Sequence, residues 1–283
     1  MSRESKSLRI LVVEGNTNNA ILRMASVGSP PYAPFYAALL ERIMPGVVCT
    51  CVHPADDGPD CLPAGDTLTA YDGAVWTGSA LSVYEDVPAV HHQLELAQRV
   101  LAAKVPVFGS CWGLQVFSTV LGGRVHKNPR GWEVGYARDI ELTPQGCEHL
   151  MYAGKSSPFG AFAVHQDEVA EAAPGGVILA RNAMSAVQAW AWEESGASFW
   201  GVQYHPEFDH QLMAWTFRRL GPRLVADGVF NTESEVSRLA QVLEAPPETG
   251  GAFSSPDITD LHVRTRELSN WLTSLPGQAC RNA

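Results

Sequence analysis

A chain of 283 residues with 46% apolar and 18% charged side chains can form one large core, or one domain with an extension. Its formal net charge of −10, with no cluster of Lys and Arg, excludes nucleic acid as the main partner, because a phosphate-binding face needs concentrated cations. No apolar run approaches the ~20 residues that cross a bilayer, and "MSRESKSLRI" lacks a signal-like apolar segment, so a cytoplasmic protein without a membrane partner is expected.

The first predicted element is a buried strand, "LRILVVE" (8–14), followed by what reads as a long polar loop, "EGNTNNAILRMASVGSPPY". A helix follows over "YAPFYAALLERIM" (32–44) and ends before Pro45-Gly46. "GVVCTCVH" reads as a second strand and "YDGAVW" (71–76) as a third. "DVPAVHHQLELAQRVLAAK" (86–104) predicts a helix with Pro88 in its first turn, where the missing N–H is harmless. "VPVFG" (105–109) is a fourth strand, and a helix from about 112 to 121 stops at Gly122-Gly123. This alternation predicts a mostly parallel sheet covered by helices on both faces.

From 124 to 204 the pattern changes to short extended pieces, among them "ARDIELT", "GAFAVH", "GVILAR", "AVQAWAW" and "SFWGVQY", fit to add an antiparallel edge or to end the sheet. "HQLMAWTFRRLGPRLVADG" is a further helix. Residues 1–227 are therefore taken as the main domain and 228–283 as a helical C-terminal extension, interrupted at "APPETGG". In its last segment Ile258, Leu261, Leu268, Trp271, Leu272 and Leu275 fall close to one helical stripe. That stripe is expected to dock on the chain's own core, with a dimer contact or a lid as the alternative.

Six cysteines (49, 51, 61, 111, 147, 280) in a chain of this size are expected to be reduced thiols. Cys49, Cys51, His53 and Cys61 superficially resemble a zinc set. Same-face ligands roughly 6.6 Å apart along a strand are too spread for one tetrahedral site with bonds of about 2.0–2.3 Å, so core packing is the expected role and no metal is expected.

Cys111 is different. Gly109-Ser110-Cys111-Trp112-Gly113 has the G-x-nucleophile-x-G form of a strand-to-helix elbow, and the following helix N-terminus should favour a thiolate. Such a nucleophile needs a histidine to serve as proton donor and a carboxylate to orient it. In "GVQYHPEF", His205 and Glu207 lie two apart at a predicted strand end with side chains on one side. In a doubly wound sheet the carboxyl ends of the strands form the ligand crevice, where these residues and Cys111 converge. The oxyanion donors expected are the backbone N–H of Trp112 and that of Ser79, with Gly78 permitting the backbone of "WTGSALSVYED".

"GSCWGLQ", "TGSALSVYED" and "GVQYHPEF", in this order, resemble the class I (triad-type) glutamine amidotransferases, in particular the free-standing branch similar to the glutaminase domain of GMP synthetase; "NPRGWEVGYARDIELT" and "AVHQDEV" look similar too. The resemblance spans roughly residues 8–220. It implies a flavodoxin-like three-layer α/β sandwich that hydrolyses a small-molecule γ-glutamyl carboxamide through a thioester, without a cofactor. By motif position it makes Cys111 the nucleophile, His205 the general base and acid, and Glu207 the orienting carboxylate. It makes Gln115 a substrate contact and places Glu133, Gly135 and His165 in pocket-lining loops. The oxyanion loop departs from the family's usual S-G-G-P, reading Thr77-Gly78-Ser79-Ala80, and Trp112 is bulkier than usual, so its ring is expected either under the elbow or beside the substrate.

The long first loop should sit at the same sheet edge, making Glu14, Asn16, Asn18 and Arg23 candidate substrate contacts. No stretch reads as an ATP-pyrophosphatase or synthetase domain. With the altered loops, this favours a hydrolase of N-substituted γ-glutamyl amides over a glutaminase subunit serving a separate synthetase partner. A homo-oligomer is a further possible assembly. A catalytically silent sensor or scaffold is the alternative of another class, and the intact Cys111, His205 and Glu207 speak against it.

Overall fold

The computed structural model describes residues 7–245 and 252–275. Most of "APPETGG" and Cys280 lie outside the described residues.

Strand β1 (Arg9–Val13) runs into a segment that contains helix α1 (Asn18–Ala25), where the sequence reads as a long polar loop. The Thr17 side chain caps this helix by accepting from Ala20 N–H. Then come α2 (Tyr32–Ile43), β2 (Val48–Val52), the single turn α3 (Pro54–Asp57), β3 (Gly73–Trp76), α4 (Pro88–Ala102), β4 (Val107–Ser110) and α5 (Trp112–Val120). The middle of the chain holds β5 (Arg124–Lys127), β6 (Glu133–Leu142), α6 (Pro144–Glu148), β7 (Phe159–His165), β8 (Asp167–Glu171), β9 (Val177–Arg181), β10 (Ala189–Glu194) and β11 (Ala197–Val202). Helices α7 (His210–Ala226), α8 (Glu233–Glu244), α9 (Pro256–Thr259), α10 (Leu261–Arg264) and α11 (Arg266–Ser274) complete it.

Nine strands form one sheet in the order β2-β1-β3-β4-β11-β10-β9-β6-β7. The first five are parallel. The remainder attach antiparallel to β11 and to one another. Thus the expected mostly parallel α/β layering is present, and the short extended pieces supply an antiparallel wing. β5 and β8 pair separately as a two-stranded ribbon.

Period-two alternation explains the layers. Along β1, Ile10 and Val12 join the cluster that contains α2, whereas Leu11 and Val13 join the cluster beneath α4 and α5. The C-terminal stripe docks at home: Leu268, Trp271, Leu272 and Leu275 fill the first of these clusters, while Ile258 belongs to a third formed with α7 and α8. A Cβ on Gly73 in β3 would lie 2.9 Å from the Trp271 ring, so the extension covers the sheet face directly. It also brings in a buried charge. Glu267 on α11 pairs with Lys155 at 2.8 Å and accepts from Tyr204 Oη at 2.5 Å, just before His205.

Cys49 and Cys51 pack against the α2-side cluster and Cys61 against the opposite one, which separates the superficially zinc-like set. Among the described residues no helix is long and apolar enough to cross a membrane.

Candidate active site

Strands β4 and β11 are parallel neighbours, with Gly109 opposite Gly201 and Ser110 opposite Val202. Their carboxyl ends therefore deliver Cys111 and His205 to the same edge of the sheet, although 94 residues separate them in sequence. The chain turns sharply at Cys111, whose φ of 50° and ψ of −95° lie outside the comfortable regions for a residue with a side chain. The turn persists because it is held on several sides. Cys111 N–H donates to Val202 O at 2.7 Å. A Cβ on Gly109 would come within 2.7 Å of the Gly113 carbonyl carbon, and one on Gly113 within 2.7 Å of Trp76 Cβ. Both flanking glycines are thus required by close packing of strand, turn and helix.

His205 Nδ1 lies 2.7 Å from Glu207 Oε1, and both side chains are buried. An ionised carboxylate only accepts, so Nδ1 carries the proton and Nε2 presents a lone pair. Among the described residues Nε2 has no hydrogen-bond partner. The ring is clamped between Phe208, stacked at 4.0 Å, and Gly78, where a Cβ would sit 2.8 Å from Cε1. Cys111 and His205 line one cavity of about 80 Å3 together with Gly78, Ser79, Gln115 and His165.

The Cys111 sulfur does not meet the expectation of a ready thiolate. Burial, and then the charges of Glu207 and Asp167, push its thiol well above the usual range, against weaker help from Trp112 N–H and Gln203. The helix N-terminus is outweighed by desolvation and two carboxylates. Cys111 Sγ lies 3.8 Å from Val164 O, and this raised proton affinity favours a proton that leaves as the sulfur attacks.

The loop after β3 is anchored by Asn16. Its Oδ1 accepts from Ala80 N–H at 3.1 Å and its Nδ2 donates to Gly78 O at 3.4 Å. Thr77 Oγ1 also donates to Gly78 O, at 3.1 Å. In a trans peptide the C=O and the next N–H point oppositely. With Gly78 O turned toward Asn16, Ser79 N–H points the other way and has no hydrogen-bond partner among the described residues. The Trp112 indole is buried under the elbow, where Nε1 donates to Gln93 Oε1 at 2.7 Å, and does not line the cavity. Gln93 also accepts from Trp76 and donates to Gly15 O, tying the ends of β1 and β3 to the elbow.

The remaining expected contacts divide. Gln115 faces the cavity and donates to Asp167 O and Gln203 Oε1, both at 3.3 Å. His165 lines it as well, fixed through both ring nitrogens: Nδ1 lies 2.9 Å from Asp167 O and Nε2 2.9 Å from Glu133 Oε2. Glu133 stands behind His165 rather than in the cavity, and takes Asn182 and Gln188 as further donors at 2.6 Å. Burial alone would raise its carboxyl, but those donors and the His165 charge prevail and hold it below the usual range.

Gly135 is a correction: in β6 it faces Phe217 and Phe253, because strand register turns it toward the third cluster. Glu14 is another, a buried anchor that accepts from the N–H groups of Ala33 and Asn16. Asn18 and Arg23 sit on α1, facing solvent and away from the cavity. Of the four first-segment candidates Asn16 alone bonds to the loop after β3, through Gly78 and Ala80. Sequence reasoning missed Tyr32, Trp132, Arg219 and Arg223, which also line the cavity. The i, i+4 spacing of the two arginines on α7 was the available signal.

The family model for glutamine amidotransferase class-I matches residues 52–219. A gamma-glutamyl-L-1-hydroxyisopropylamide hydrolase from Pseudomonas sp is 34% identical over 282 residues, covering 95% of this chain and 94% of that protein. This chain belongs to the class-I glutamine amidotransferase family. As a family member it is a Cys-His-Glu amidohydrolase of γ-glutamyl carboxamides. The glutamine-hydrolysing GMP synthase of Burkholderia mallei (strain SAVP1) is 31% identical over 196 residues, 67% of this amidotransferase-family chain, which spans 33% of that protein's length. Among solved structures, a glutamine amidotransferase from Thermotoga maritima shares the fold with a TM-score of 0.68 at 15% identity, covering 95% of this chain and 98% of that one. A second from Methylobacillus flagellatus has a TM-score of 0.57 at 20% identity, with 94% and 95% covered.

Proposed function

We propose that this enzyme hydrolyses an N-substituted γ-glutamyl amide to glutamate and a free amine. The carrying observation is the full-length match to the Pseudomonas hydrolase, which takes in 95% of this chain, whereas the GMP synthase match takes in 67%. The site agrees in shape. The Trp112 side chain does not line the cavity, and Tyr32, Trp132 and Leu220 line it together with Cys111, which offers an amine substituent a partly apolar wall.

The chemistry follows from the geometry. Cys111 Sγ attacks the γ-carbonyl carbon as its proton passes to His205 Nε2, and the carbonyl π pair moves onto oxygen. Ser79 N–H and Trp112 N–H receive that oxyanion. His205 Nε2–H then protonates the amide nitrogen, the C–N bond breaks, and the amine leaves a γ-glutamyl thioester. Water, deprotonated by Nε2, attacks the thioester and returns Cys111 as a thiol with glutamate released. Glu207 holds the imidazole orientation and offsets its transient charge.

Turnover of purified protein on glutamine and on γ-glutamyl alkyl- and arylamides tests this reading. The substituted amides should be cleaved with the higher kcat/KM without any added protein. Efficient glutamine turnover that appears only with an added synthetase partner would replace this reading with a glutaminase subunit.

A further inference from the structure

Three arginines of α7 differ in what they hold. Arg218 makes a bidentate pair with Glu244 on α8, with its closest contact 2.7 Å. Arg223 lies 3.6 Å from Asp227 Oδ2, donates to Gln166 Oε1 at 2.9 Å and stacks over the Trp132 ring at 5.1 Å. Arg219 also lines the cavity, yet among the described residues no carboxylate lies within 4.0 Å of its guanidinium. Its contact is one long hydrogen bond of 3.4 Å to the Tyr32 hydroxyl. A guanidinium carries five N–H donors in a planar fork matched to a carboxylate, so most of this one's capacity is unspent. Tyr32 is itself buried against Phe208, the ring that stacks on His205, and this ties the Arg219 corner to the reacting end of the cavity.

The electrostatic setting calls for such a group. The chain has a formal net charge of −10, and Asp167 lines the same cavity while Glu207 lies behind His205. A substrate bearing a carboxylate enters against that field unless a cation meets it, and Arg223 is already engaged. We propose that Arg219 forms a carboxylate-binding subsite in the wall of the cavity, recognising an acid group on the γ-glutamyl amide substrate by a bidentate hydrogen-bonded pair. The proposal rests on the hydrolase reading above. The carboxylate has two sources: the glutamyl α-carboxylate, present on every such substrate, or an acid on the amine portion.

Kinetics of Arg219→Met and Arg219→Lys on three matched substrates separate the outcomes: γ-glutamyl anilide, its α-carboxamide analogue, and γ-glutamyl-aminobenzoate. Arg219→Met is expected to lower kcat/KM on the order of 10- to 100-fold, mainly through KM, on the substrates whose carboxylate it meets, and Arg219→Lys to recover part of that loss. A fall on anilide and aminobenzoate alike, sparing the α-carboxamide, assigns the glutamyl carboxylate. A fall on the aminobenzoate alone assigns an acid on the amine. Equal kcat/KM ratios of variant to wild type on all three, whether reduced or unchanged, overturn the subsite. If the wild type cleaves none of them, the hydrolase reading itself fails, and that result is distinct from any effect of Arg219.

Discussion

Two buried histidine–glutamate pairs present their histidines to the same cavity, and the proposed reaction uses only one of them. His205 and Glu207 meet at 2.7 Å, and His165 and Glu133 at 2.9 Å. By distance and burial they are hard to tell apart. Their second nitrogens differ. His205 Nε2 has no partner among the described residues, whereas His165 Nδ1 is committed to Asp167 O. Glu133 is further saturated by Asn182 and Gln188, while Glu207 keeps Oε2 without a partner. A histidine–carboxylate pair becomes a proton shuttle only when the far nitrogen is left open to the reacting atoms; closed at both ends, it is a strut.

Substitutions should separate the two pairs, and the largest losses belong to the shuttle. Cys111→Ala and His205→Asn should each lower kcat on the order of 10⁵-fold or more by steady-state kinetics, Cys111→Ala with little change in thermal stability and His205→Asn with a drop by calorimetry, because Glu207 is then left buried without its partner. Glu207→Gln should cost somewhat less, on the order of 10³- to 10⁴-fold, because the imidazole loses its orientation and tautomer but remains present. His165→Asn should share the stability loss of His205→Asn and spare most of the catalysis. Activity should fall by about tenfold, while unfolding free energy drops by about 3–5 kcal/mol because Glu133 is left buried without its charge partner. A loss of catalysis from His165→Asn as deep as that from His205→Asn, in a protein that still melts normally, would erase the distinction.

Smaller effects sharpen it. Asn16→Ala should release the loop that aims Ser79 N–H and cut kcat on the order of 10- to 100-fold with KM nearly unchanged. The raised Cys111 thiol predicts that iodoacetamide alkylation of the substrate-free enzyme is slow at neutral pH and still climbing above the ordinary thiol range near ~8.5. A plateau already at neutral pH would show a stable thiolate instead. Glu133, held below its ordinary value, binds fewer protons folded than unfolded. The stability it contributes is therefore present above about pH 4.3 and is lost as the pH falls through its folded value. Glu133→Gln should flatten that acid limb.

Much of this was legible in the chain. The β4–elbow–α5 sequence and "YHPEF" carried their own geometry, because a strand end and a tight turn fix where side chains point. The parallel half of the sheet could likewise be read from alternation of apolar runs with helical periodicity. What sequence reading lost was set by long-range register and by solvation. Gly135 belongs to a strand whose pairing with β7 turns it toward Phe217. Helix α1 lies in a polar stretch, and the Thr17 cap is its local signal. The thiol's raised proton affinity comes from burial first and then from Glu207 and Asp167, all set by chain far from Cys111 in sequence. The C-terminal segment showed its stripe but broke into α9, α10 and α11, because Asp260 and Thr265 interrupt it.

The most direct test of the central claim, that Cys111 and the open His205 nitrogen hydrolyse a γ-glutamyl amide through a thioester, is intact and peptide mass spectrometry of acid-quenched enzyme during turnover of a γ-glutamyl arylamide. The account predicts one γ-glutamyl group on the peptide that contains Cys111 in the wild type, and none in Cys111→Ala. Turnover with no adduct on that peptide, or an adduct that persists in Cys111→Ala, would contradict it.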